Sequence, residues 1–136
     1  MHTLEKLIET HGIDVHDHLD RQVTVPIITG FQRQGDVLVM PNAAVPVATT
    51  PVPAAGTAVV RGESGGNTHA IVGDGPVFCD VRTASATDLT LATLTVPPGS
   101  VAYLAHPEHA YSGIGAGSYM LRRQREQADE LRMVQD

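Results

Sequence analysis

The hydrophobic period of the chain changes once, near residue 22. Before that point, Leu4, Leu7 and Ile8 fall on one face of a helix over residues 3–11, with Glu5 and Glu9 opposite. Thr3 is placed to cap its start and Gly12 to stop it. A polar stretch follows at 14–20, with His16 and His18 set among three aspartates. Beyond it the pattern becomes strand-like. Residues 22–29 and 34–40 are rich in Val and Ile, and Gly30 between them reads as a hairpin or a bulge. Pro26 puts the first of these strands at a sheet edge or bends it.

From Thr57 onward the alternation predicts strands at 57–61, 68–73, 76–82, 87–96, 100–105 and 117–125. Their punctuation is Gly65-Gly66, Gly73-Asp74-Gly75, Pro97-Pro98-Gly99 and the glycine-rich stretch 113–117. Leu89 and Leu91 share one parity, whereas Leu94 and Val96 share the other, so a β-bulge is expected near Ala92. At the end, Ala128, Leu131 and Val134 form the stripe of a short helix over 127–135. About eight short strands with glycine turns imply a mainly β fold. The expected form is a small antiparallel β-sandwich or β-barrel with a short N-terminal helix and a short C-terminal helix. The expected organisation is a helix and arm over 1–32, then a single β domain over 33–136. Within that domain, the Pro/Ala-rich connection at 42–56 reads as a long loop or extended arm.

Composition narrows this picture. The 136 residues suffice for one hydrophobic core. Apolar residues are 42% but aromatics only 4%, with no tryptophan, so the core must be Val, Leu, Ile and Ala. Phe31, Phe78, Tyr103, Tyr111 and Tyr119 supplement it. A net charge of −6 argues against nucleic acid and against anionic membrane surfaces. Cys79 is the single cysteine, so no intrachain disulfide is possible, and its apolar neighbours Val77 and Phe78 mark it as a small buried hydrophobe. No signal segment opens the chain, and the apolar region 43–60 carries three prolines that forbid a membrane helix. A virion or a bacterial cytoplasm is the expected location.

Four short motifs recur to one pattern. They are Arg33-Gln34-Gly35-Asp36-Val37, Gly62-Glu63-Ser64-Gly65-Gly66-Asn67-Thr68-His69, His106-Pro107-Glu108-His109, and Gly117-Ser118-Tyr119 running on to Arg122-Arg123-Gln124-Arg125-Glu126. Over residues 33–136 this resembles a family of small uncharacterised bacterial β proteins. That family shows R-Q-G-D-V, G-E-x-x-G-H-x-H, H-E-E-H-G and P-x-G-x-Y-x-x-R-R-Q-R-E-Y in the same order. The chain departs from it at Asn67 (histidine in the pattern), Pro107 (glutamate), Ala110 (glycine) and Gln127 (tyrosine). The resemblance implies the β fold and the nearness of these motifs, and it carries no activity.

The candidate chemistry lies in the histidines. His106 and His109 stand three apart in a turn and can face one point, and His69 from another strand would complete a three-nitrogen set. Open zinc and iron sites use that ligand count. Glu108 would then be the proton carrier. The alternative is that these side chains cap turns. The arginine row offers an anion clamp or an internal ion pair: Arg123 shares parity with Tyr119 and Leu121, which predicts burial and a carboxylate partner such as Glu63 or Glu108. The glycine clusters lack the lysine and the helix of a phosphate loop, and Ser64 and Ser112 lack the setting of an activated serine.

Two functions are therefore expected. The first is a non-enzymatic structural or assembly protein without a cofactor, such as a bacteriophage capsid decoration protein. Leu4, Leu7 and Ile8 of its N-terminal arm would grip a protein partner or another copy. The second is a β-barrel enzyme or sensor with zinc or iron on His69, His106 and His109.

Overall fold

The computed structural model describes residues 1–61, 68–82 and 89–124. Helix α1 (Leu4–His11) forms where the sequence pattern places it. Thr3 Oγ1 accepts the Lys6 N–H at 3.2 Å, and Gly12, at φ 80°, returns its N–H to the Ile8 carbonyl. Ten strands follow among the described residues. They are β1 (Ile27–Ile28), β2 (Gln32–Gln34), β3 (Val37–Pro41), β4 (Thr57–Val60), β5 (His69–Asp74), β6 (Phe78–Val81), β7 (Thr90–Val96), β8 (Val101–His106), β9 (Ala110–Ile114) and β10 (Gly117–Arg123). They build two sheets of five, ordered β1-β9-β8-β5-β4 and β2-β3-β10-β7-β6. The fold is a β-sandwich, and the sheets do not close into a barrel.

Alternation explains the core. Ile71, Ala102, Leu104 and Ile114 from the first sheet meet Val37, Val39, Leu94, Tyr119 and Leu121 from the second. Residues of opposite parity on the first sheet (Val72, Tyr103, Ala105, Tyr111) form a second cluster with Leu4, Leu7, Val15 and Val25. The first sheet is thus apolar on both faces, and the N-terminal segment covers its outer one. The bulge expected near Ala92 is present: the β10–β7 register shifts between Leu121, opposite Ala92, and Arg122, opposite Thr90. Leu91, Ala92, Leu94 and Val96 are all buried as a result.

Several local expectations need correction. The hairpin turn is at Gly35-Asp36, joining β2 to β3, and not at Gly30. Only Ile27 and Ile28 of the 22–29 stretch are in a strand, and they pair parallel to β9. β9 itself was hidden in a stretch that reads as turn, because Gly113 interrupts it. That glycine is required: a Cβ there would lie 2.5 Å from the Pro26 carbonyl oxygen. The 42–56 connection holds no helix or strand and runs as a loop tied down along the second sheet. The Ala48 N–H reaches Thr95 Oγ1, the Thr49 and Thr50 N–H groups reach the Asp80 carboxylate, and Cys79 N–H donates to the Thr50 carbonyl. Phe31 is exposed and takes no part in the core. The 127–135 helix lies outside the described residues. Among the described residues, no helix is long and apolar enough to cross a membrane.

Candidate metal centre

β5 and β8 run antiparallel with Ala70 opposite Ala105 and Ile71 opposite Leu104. One further step sets His69 opposite His106. Both have the parity of Ile71 and Leu104, so both imidazoles point between the sheets, at one end of the core. They are 4% and 3% exposed. The chain then turns through Pro107 and Glu108, and His109 comes back beside them. Ring centroids are 4.2 Å apart for His69 and His106, 4.7 Å for His106 and His109, and 6.0 Å for His69 and His109. One nitrogen from each ring can be chosen so that all three lie within 4.8 Å of one another. His109 is exposed, so the cluster has a buried side and a solvent side.

The facing sheet closes over this group with the β2–β3 turn. Gly35, at φ 60°, packs so closely that a Cβ would lie 2.9 Å from His109 Nε2 and 3.5 Å from His69 Nε2. Just beneath, the buried Gln34 amide bridges the two sheets. Its Nε2 donates to the Leu104 carbonyl at 2.8 Å and to Ser112 Oγ at 3.0 Å. The turn is held from behind, where Gln124 N–H donates to the Asp36 carbonyl at 2.8 Å.

The electrostatics favour a neutral, ligand-ready His69. Burial is the largest cause that lowers its pKa, to about 4, and the charges of His106 and His109 push the same way. Asp36 opposes them, so a carboxylate also faces the cluster. Both ring nitrogens of His69 are buried without a well-formed hydrogen bond; a looser contact with the Gln34 backbone acts to raise the ring's pKa. Gln34 Oε1 is likewise buried without a partner. Orphaned polar atoms of this kind are uncommon in protein interiors and ask for an explanation. His106 differs: its Nδ1 accepts the Glu108 N–H at 3.0 Å, which leaves the proton of the neutral ring on Nε2. Coordination through His106 Nε2 would require the other tautomer, with the proton moved to Nδ1 where it opposes the Glu108 N–H, so metal uptake involves a small rearrangement of this turn. The turn is itself strained, with Ala110 at φ 65°.

The remaining expected site residues fall elsewhere. Glu108 is exposed beside the cluster. Arg123 has the predicted parity, pairing with Val37, but it is exposed, so burial does not force an ion pair on it. No ion pair joins it to Glu108 among the described residues, and Glu63 lies outside them. Leu4 and Leu7 are each 1% exposed against Tyr103 and Tyr111, with Ile8 packed beside them. The apolar stripe expected to grip a partner therefore docks on the chain's own sheet. Sequence reasoning gave no site role to Gln34, Gly35 or Asp36; their signal was the Arg33–Val37 motif, read only as the start of a strand.

A family profile matches residues 33–124, the segment that holds both sheets apart from β1 and the first residue of β2. The chain belongs to the DUF8820 family, a domain of unknown function. All three histidines and the Gly35 turn lie inside the DUF8820 segment, whereas α1 and the arm precede it. Among curated proteins and among solved structures, none matches the chain.

Proposed function

We propose that this DUF8820 protein is a metal-binding β-sandwich that holds one divalent ion, zinc or iron(II), on His69, His106 and His109. The observation that carries the reading is the convergence of three imidazoles, two of them buried, at the end of an otherwise apolar core. Two buried imidazoles tilted against each other, with no well-formed hydrogen bond at either His69 nitrogen, are poorly satisfied as a purely structural device. A cation would give a His69 nitrogen its missing partner and would turn mutual repulsion into shared coordination. Three neutral nitrogens leave the ion's charge intact and a position open on the solvent side, where His109 is exposed. A water held there would be acidified, and Glu108 on the same turn could pass its proton to solvent. That is the equipment of a metal-assisted enzyme or of a metal sensor.

This reading is preferred to a capsid-decoration or other assembly role because Leu4 and Leu7, the docking stripe of that role, are covered internally. The test is a titration of chelator-treated protein with zinc or cobalt(II) against a chromophoric competitor. One equivalent should bind, and His69→Ala, His106→Ala and His109→Ala should each lose it. Binding that none of the three substitutions weakens would dismiss the site.

A further inference from the structure

Among the described residues, the outer face of the first sheet is only half covered. Leu4, Leu7, Val15 and Val25 lie over β8 and β9, but toward β4 and β5 the face opens into a cavity of about 410 Å³. Its volume falls in the range of small-molecule sites, about 300–1,000 Å³. The cavity exists because the side chains around it are small: Ala55, Ala58 and Ala70, with Gly56 between the first two. Gly56 cannot be larger. It has φ 92°, and a Cβ would meet the Ile71 carbonyl oxygen and Val72 Cγ1, each at 3.0 Å. Ile13 from the arm and Pro107 from the histidine turn border it. Both borders are pinned, since Tyr111 Oη donates to the Ile13 carbonyl at 2.8 Å and His16 N–H to the Pro107 carbonyl at 2.9 Å.

Among the described residues, the polar part of the lining is Thr68 and Arg61. Arg61 is exposed, and among the described residues its side chain makes no hydrogen bond or ion pair. An uncommitted guanidinium is notable in a chain with 15 acidic and 9 basic residues. It is a ready fork for a carboxylate. We infer that this cavity binds a small aliphatic carboxylate, its hydrocarbon body against the alanines and its carboxylate on Arg61. The site is separate from the metal centre: Thr68 and Ala70 face it from the two positions flanking His69, whose own side chain points to the other side of β5.

Octanoate is a suitable probe, with octylammonium as the charge-reversed control, titrated calorimetrically into the full chain. Octanoate should saturate a single site and octylammonium should bind at least about tenfold more weakly. Arg61→Gln should weaken octanoate by about tenfold and erase the preference over octylammonium. Ala58→Leu, which fills the cavity from a half-buried position, should abolish binding while thermal melting shows the fold intact. His106→Ala should leave octanoate affinity unchanged, so the result is read independently of the metal site. Absence of saturable octanoate binding, or equal affinity in the wild type and both cavity variants, would overturn the inference.

Discussion

His69 and His106 face each other from paired strands with ring centroids 4.2 Å apart, and both are buried. Burial and the neighbouring His106 both disfavour a charge on His69. Burial foremost, then the charge of His106, takes the pKa of His69 down to about 4 from 6.5, with Asp36 offsetting part of the fall. In the unfolded chain His69 would protonate near 6.5, so between that pH and about 4 the unfolded state binds more protons. Stability of the chelator-treated protein should therefore be full above about pH 6.5 and decline as the pH falls to about 4, by up to roughly 3 kcal/mol. Urea unfolding across that window measures it, and His69→Gln should flatten the slope. An unchanged slope in the variant would place the titrating group elsewhere.

Gly35 is the residue by which the second sheet holds the cluster. In Gly35→Ala the methyl group would press on His109 Nε2 from 2.9 Å, and the backbone at φ 60° would be strained. The substitution should cost about 1 kcal/mol of fold stability. Its larger effect should fall on the ligand set, with metal affinity reduced about tenfold or more as His109 is pushed away. Competition titration and thermal melting, read together, separate the two effects. Loss of stability with unchanged metal affinity would mean that His109 is not a ligand.

Ala110 sits at φ 65°, a conformation that glycine adopts freely and alanine does not. It is also the position at which the sequence carries alanine where the pattern it resembles carries glycine. Ala110→Gly should relieve the strain and stabilise the fold by about 0.5–1 kcal/mol, seen as a melting temperature higher by about 2–4 °C. A lower melting temperature would show that the turn is not strained there.

The sheet class, α1 with both its caps, and the bulge near Ala92 were legible because each rests on a local pattern: a helical stripe, a capping residue, a switch of parity. The three histidines were legible as a set because His106 and His109 stand three apart in one turn and His69 closes another motif of the same pattern. What stayed hidden is non-local. Gly113 reads as a turn until the parallel strand β1 is seen pressing on it. Gly30 and Gly35 are alike in sequence, and only the pairing of Gln34 with Val37 selects the second as the hairpin. The stripe of α1 announces that something covers Leu4 and Leu7 but not that it is Tyr103 and Tyr111 of the same chain. Arg123 has the correct parity and is exposed all the same, and parity alone does not tell which positions a sheet buries.

The metal content of the purified, untagged chain, measured by elemental analysis, decides whether His69, His106 and His109 hold an ion. Close to one zinc or iron per chain is expected, lost in His106→Ala and in His109→Ala while both variants keep their β-sheet circular dichroism. A wild-type chain that carries no metal, and takes up none when zinc or iron(II) is supplied, would contradict a metal site there.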